Sequence, residues 1–121
     1  MSAILKVLVV DDHPDAVESV ATLLELSGCE VRGCTNGPAA LAAAASFEPD
    51  VCVIDLSLPG MEGDELALRL RDQAGDRPMR LIALTGRWDV DSCHRIHNTR
   101  FDDHLVKPAD PDRLLDAVHS R

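Results

Sequence analysis

Tyrosine is absent from this sequence of 121 residues, and Trp88, Phe47 and Phe101 are its only aromatic side chains. A core drawn from such a chain has to be aliphatic. Basic residues are scarce too: 12 Lys and Arg face 21 Asp and Glu, a formal net charge of −9. That balance argues against broad electrostatic binding to nucleic acid or to an anionic membrane. It suits a site that collects a divalent cation, although surplus acid also serves simply to keep a protein in solution. Cys29, Cys34, Cys52 and Cys93 form no CxxC pair and no recognised zinc spacing. A reduced, cytoplasmic setting is therefore expected rather than a disulfide framework. No apolar run approaches membrane-spanning length and no signal peptide precedes the first strand. The length fits one domain, residues 1–121, around one core.

What the sequence does contain is centred on Val51-Cys52-Val53-Ile54-Asp55, followed by Leu56-Ser57-Leu58-Pro59-Gly60-Met61-Glu62-Gly63. Four apolar residues bounded by a turn read as a strand buried on both faces, as in a parallel sheet. Cys52, inside that run, reads as core packing. An Asp at the carboxyl end of such a strand lies where open α/β sheets bind ligands.

The flanking segments repeat the pattern. Ile4 to Val10 is a second apolar run and ends at Asp11-Asp12. His13-Pro14-Asp15 then opens a helix with Val17, Val20, Ala21 and Leu24 at helical spacing, stopped by Gly28. Glu30 to Cys34 is a short, polar strand suited to a sheet edge. Pro38 to Ser46 is an alanine-rich helix, and Gly63 to Gln73 a third, carrying Leu66, Leu68 and Leu70. Arg80 to Leu84 is a strand closed by Thr85-Gly86. Trp88 to Arg100 should be a helix but is dominated by residues of middling to low helix propensity. Asp102 to Val106 is a fifth strand ending at Lys107-Pro108. Asp110-Pro111-Asp112 caps a last helix with Leu114, Leu115 and Val118 inward. Five strands alternating with five helices predict an α/β, doubly wound, parallel five-stranded sheet of order 2-1-3-4-5.

In that order the first and third strands are neighbours, so Asp11 and Asp12 meet Asp55. The fourth and fifth strands add Thr85 and Lys107 at the same edge. Three carboxylates so close repel one another, which should raise at least one pKa. A Mg²⁺ ion, or Mn²⁺ in its place, relieves this and can also bind a phosphoryl oxygen. Lys107 supplies a compact positive charge and Thr85 a hydroxyl able to donate to a newly arrived oxygen. The set reads as an acceptor for a phosphoryl group with Asp55 as nucleophile. Taken singly, each residue has a plainer reading: a helix cap, a turn, a strand end, a solvated charge.

Val9-Val10-Asp11-Asp12, Asp55 to Gly63, Ala83-Leu84-Thr85-Gly86 and Asp103-His104-Leu105-Val106-Lys107-Pro108, with the intervals between them, resemble the receiver domain of two-component response regulators. The resemblance covers essentially the whole chain and implies a flavodoxin-like (CheY-like) fold. It implies that Asp55 accepts a phosphoryl group from a sensor histidine kinase or a histidine phosphotransfer protein. Asp11, Asp12, Asp55 and the Ser57 backbone carbonyl would hold the metal, and Thr85 and Lys107 would contact the phosphoryl group. It further implies a cis Lys107–Pro108 peptide. An unknown output protein would bind the face made by the fourth helix, fifth strand and fifth helix, with neither nucleic acid nor membrane bound directly.

Two departures stand out. His104 occupies the switch position where the family commonly has an aromatic residue, and Arg100 stands where a glycine is common, leaving Asn98 to take a left-handed cap. The resemblance implies that Ser57 and Arg87, two residues past Asp55 and Thr85, occupy positions that influence phosphate lifetime in the family. Cys93, His94 and His97 read as surface residues on a weak, switchable helix rather than as a metal patch. The chief expectation is a regulatory phospho-acceptor, not an enzyme beyond assisting its own phosphorylation and dephosphorylation. An Asp-nucleophile phosphatase of haloacid-dehalogenase type is the enzymatic alternative, disfavoured by Ser57 in place of a second acid. Met1-Ser2 before the first strand favours a stand-alone regulator over a module from a hybrid histidine kinase or larger regulator.

Overall fold

The computed structural model describes residues 4–86, 90–99 and 101–120. Five strands, β1 (Lys6–Val10), β2 (Glu30–Cys34), β3 (Val51–Asp55), β4 (Arg80–Thr85) and β5 (Asp103–Val106), form one parallel sheet of order β2-β1-β3-β4-β5. Between and after them run α1 (Pro14–Leu26), α2 (Gly37–Phe47), α3 (Gly63–Ala74), α4 (Val90–Thr99) and α5 (Pro111–His119). Burial follows strand position. Every residue of β3 is buried, β1 and β4 nearly so, whereas every residue of β2 is half-buried or exposed. A central parallel strand has helices on both faces, and an edge strand has one flank in water.

Because alternate strand residues face opposite sides, the sheet divides two cores. Val7, Val9, Val51, Val53 and Ile82 pack with Leu24 of α1 and with Leu114, Ala117 and Val118 of α5. Leu8, Val10, Cys52, Ile54 and Leu81 pack with Ala40 and Ala44 of α2 and with Leu66, Ala67 and Leu70 of α3. Burial pushes the Cys52 thiol up to about 12, so Cys52 serves packing, as its place in the apolar run predicts. A third, small cluster joins Ile96 of α4 to Leu56 and Ala83.

Local sequence explains most boundaries. The Asn36 side chain accepts from the Ala39 amide at 2.8 Å and caps α2, with proline in the first turn. Asp110 does the same for α5 through the Arg113 amide at 3.4 Å. Leu68 points outward at 55% exposure, because the inner stripe of α3 runs through Leu66, Ala67 and Leu70. Some expectations need correction. Asn98 lies inside α4, and Glu48, closing α2, is the non-glycine residue at positive φ among those described. The described part of the fourth helix is Val90–Thr99, and Trp88 and Arg100, the predicted ends, lie outside the described residues.

Candidate functional site

Strand register sets the site. Val10 pairs with Ile54 and Asp55 with Leu84, so the residues that follow β1 and end β3 and β4 emerge side by side. Asp11, Asp55 and Thr85 are all buried at 2–4% exposure. Lys107 follows β5, its amide donating to the Thr85 carbonyl at 2.8 Å. Its Nζ donates to Asp11 Oδ2 and to Asp55 Oδ2, each at 2.8 Å. The second Asp55 oxygen, Oδ1, accepts from the Ser57 amide at 3.0 Å. The Lys107–Pro108 peptide is cis, as the resemblance implies.

Gly63 explains how α3 comes so close. A Cβ there would collide with the Asp55 carbonyl and the Leu56 Cα, so only glycine lets the start of α3 pack on the backbone that carries Asp55. The amide of Gly63 donates to the Leu56 carbonyl at 2.9 Å, closing the loop from residue 56 to 63. Gly60, at φ +82°, turns that loop.

The charges are balanced by contact. Burial pushes the Asp11 carboxyl up, but its hydrogen bonds from Lys107 and from the His13 amide win and hold it below the ordinary range. At Asp11 the shift therefore runs opposite to the rise expected from repulsion, because a half-buried ammonium sits between the carboxylates. Burial likewise pushes Lys107 down, and its bonds to Asp11 and Asp55 raise it above its ordinary value.

Asp11, Asp12, His13 and Asp55 each bring a ligand atom within 4.8 Å of the others. Asp12 Oδ1 is buried without a hydrogen-bond partner among the described residues. His13 Nδ1 lies 3.1 Å from it but outside hydrogen-bond alignment. A buried carboxylate oxygen without a donor, next to two more carboxylates, fits a hard divalent cation.

The structure thus brings Asp11, Asp12, Asp55 and Lys107 together and places Ser57 against them. Thr85 lines an adjoining cleft of about 400 Å³ with Leu56, Ser57, Gly86, Asp91, Ser92 and Arg95. His104 is half-buried and lines a different cleft, with Val106, Pro108 and Arg113. Arg87 lies outside the described residues. Cys93, His94 and His97 make no metal-ligating group among the described residues. Two residues were not foreseen. His13 reads from sequence only as a helix opener, though its place directly after Asp11-Asp12 is a signal. Arg95 gives no sequence signal, since its partners Glu62 and Asp64 lie in another element.

A family model for the response regulator receiver domain matches residues 7–119. The chain belongs to that family. Receiver domains are regulatory phospho-acceptor domains that bind a divalent metal at an acidic pocket and interact with histidine kinases and output domains. The chain is 31% identical over 116 residues to the DNA-binding response regulator MtrA of Mycolicibacterium smegmatis, covering 96% of this chain and 50% of MtrA. Among solved structures, chemotaxis protein CheY4 of Vibrio cholerae superposes with a TM-score of 0.88 at 31% identity, over 94% of this chain and 95% of CheY4. A Burkholderia pseudomallei response regulator with a phosphorylated aspartic acid, calcium ion and citrate gives 0.85 at 28% identity, over 96% of this chain and 67% of that one. The receiver spans half or less of the length of the first curated relatives it matches. No helix among the described residues is long and apolar enough to cross a membrane.

Proposed function

We propose that Asp55 is the residue that accepts the phosphoryl group, from a phosphohistidine on a sensor histidine kinase or histidine phosphotransfer protein. The observation that carries this is the Lys107 ammonium bridging buried Asp55 and Asp11 at 2.8 Å each. In the transfer, a carboxylate oxygen of Asp55 forms a bond to phosphorus as the phosphorus–nitrogen bond breaks, and the electron pair returns to the donor imidazole. Lys107 lies beside the reacting carboxylate to offset charge on the phosphoryl oxygens, and Thr85, at the end of β4, supplies a hydroxyl toward the same cleft. Such transfers depend on positioning and charge neutralisation more than on covalent help from the protein.

Asp11, Asp12, Asp55 and the Ser57 carbonyl are the residues suited to hold Mg²⁺, or Mn²⁺. The ion supplies charge neutralisation for phosphoryl oxygens. A relative with a phosphorylated aspartic acid and a calcium ion supports both assignments. The output runs through the face of α4, β5 and α5, where Val90 and Val106 are exposed at 71% and 43% and His104 serves as the switch residue. Ser57 and Arg87 tune phosphate lifetime; Arg87→Ala alters autodephosphorylation. The protein acts in the cytoplasm as one receiver domain over residues 1–121, binds neither nucleic acid nor membrane directly, and is not an enzyme beyond its own phosphorylation and dephosphorylation. Since the relatives are longer, the same domain also fits a module of a larger regulator or hybrid kinase.

The test is incubation with acetyl phosphate and Mg²⁺, followed by mass spectrometry of the intact and digested protein. One phosphoryl group on the peptide carrying Asp55 is expected, lost on chelation and in Asp55→Asn. Equal labelling of Asp55→Asn sinks the assignment.

A further inference from the structure

From α4, the Arg95 side chain reaches the loop behind Asp55 with its guanidinium. Its Nη2 donates to the Leu56 carbonyl at 2.9 Å, to Asp64 Oδ1 at 2.8 Å and to Glu62 Oε2 at 3.0 Å, while Nε reaches Asp64 Oδ2 at 3.2 Å. This is a two-pronged guanidinium–carboxylate pair with a backbone carbonyl added. That geometry suits arginine and not lysine. Arg95 and Asp64 are 23% and 27% exposed, so the pair is sheltered. The hydrogen bond from Arg95 holds Asp64 below the ordinary carboxyl range, against a smaller opposing effect of burial.

The carbonyl that Arg95 grips belongs to the same peptide unit as the Ser57 amide. A peptide is planar, with its carbonyl and N–H pointing opposite ways. One end of the Leu56–Ser57 unit is held by the guanidinium and the Gly63 amide. The other end donates to Asp55 Oδ1 at 3.0 Å. A cation at the oxygen end polarises the unit and strengthens donation at the nitrogen end. Rotating this plane also turns the Ser57 amide away from Asp55. Among the described residues the apolar packing of α4 is thin, Ile96 in a small cluster with Leu56, Ala83 and the partly buried Phe101, so the polar anchor adds substantially to the connection between α4 and this loop.

We propose that Arg95 is a positioning residue that couples α4 to Asp55 through the Leu56–Ser57 peptide. A partner that draws α4 away weakens the Ser57 donation, and modification of Asp55 in turn loosens Arg95, since coupling between two sites is reciprocal. The inference rests on Asp55 being the phosphoryl acceptor.

The experiment compares wild type, Arg95→Lys, Arg95→Ala and Asp64→Asn, with Arg69→Ala as a control that breaks only the exposed Arg69–Glu65 pair on α3. Two readouts are taken. The first is the Ser57 amide resonance in the unmodified, metal-free protein. The second is the initial rate of Asp55 phosphorylation by acetyl phosphate at saturating Mg²⁺. In both Arg95 variants the Ser57 proton should move upfield and the rate should fall about fivefold, the effect of one hydrogen bond. Asp64→Asn should give a smaller change of the same sign, and Arg69→Ala none. Arg95→Lys keeps the charge and the stem, so it reports even if Arg95→Ala fails to fold. A wild-type Ser57 resonance and rate in Arg95→Lys and Asp64→Asn, with only the melting temperature lowered, overturns the coupling. If wild type itself takes no label at Asp55, the acceptor assignment fails instead, and the coupling falls with it.

Discussion

Helices α4 and α5 are nearly equal in length, 10 and 9 residues, yet they are attached in opposite ways. α5 opens on an Asp110 cap and sinks Leu114, Ala117 and Val118 into the large core shared with α1 and the sheet. Among the described residues, α4 buries one large apolar side chain, Ile96, in a small cluster with Leu56 and Ala83, and the Arg95 ion pairs add a polar link to Asp64 of α3 and to Glu62 of the loop after Asp55. Apolar burial is non-directional and scales with area, so α5 tolerates small displacements without a discrete change. An ion pair is directional and is lost when its partner moves. A helix fastened that way is released by breaking a few directional bonds, which suits a switching element. Both helices border the face proposed above for output, where α5 would serve as the fixed wall and α4 as the movable part.

Three changes probe that contrast. Leu114→Ala should have the largest effect, about 3 kcal/mol, because a fully buried leucine leaves a cavity; denaturant unfolding should show one cooperative transition shifted to lower midpoint. If the loss is under about 1 kcal/mol, α5 is not the fixed wall described. Ile96→Ala should cost about 2 kcal/mol, at the low end for such truncations, since Ile96 is 9% exposed and its cluster is small. Hydrogen exchange should quicken in α4 well before α5. Equal acceleration in both helices would erase the distinction. The smallest effect is electrostatic. Asp64 is held below its ordinary value of 3.8 by Arg95, so the pair stabilises the protein above that value. The contribution, under about 1 kcal/mol, is lost as pH falls through the lowered folded value. In Asp64→Asn, the acid limb of the stability–pH curve should flatten over that window and stay unchanged at neutral pH and above, apart from a constant offset.

Legibility from sequence divides along the same line. β3 and β2 begin and end where the residues predicted, and α5 starts at its predicted cap, because apolar runs and capping side chains are local signals. The five site residues at strand ends were legible for a related reason. Each follows an apolar run, and the strand order then decides which ends are adjacent. α4 was the weak point. Its polar composition carries no apolar stripe, and what fastens it lies 31 and 33 residues away, at Asp64 and Glu62. Nothing in a linear pattern pairs Arg95 with those carboxylates rather than with water.

By itself, then, the sequence determined the strands, the helix caps and the list of strand-end residues, since periodicity and turn chemistry act over a few positions. Tertiary structure alone decided how Asp55 is held. It placed Lys107 between Asp11 and Asp55, lowering the Asp11 carboxyl where repulsion alone predicts a rise. It also brought the Gly63 amide and the Arg95 guanidinium together on the Leu56 carbonyl. Both outcomes depend on distances between segments far apart in the chain, and charge interactions over such distances exist only once the sheet has closed.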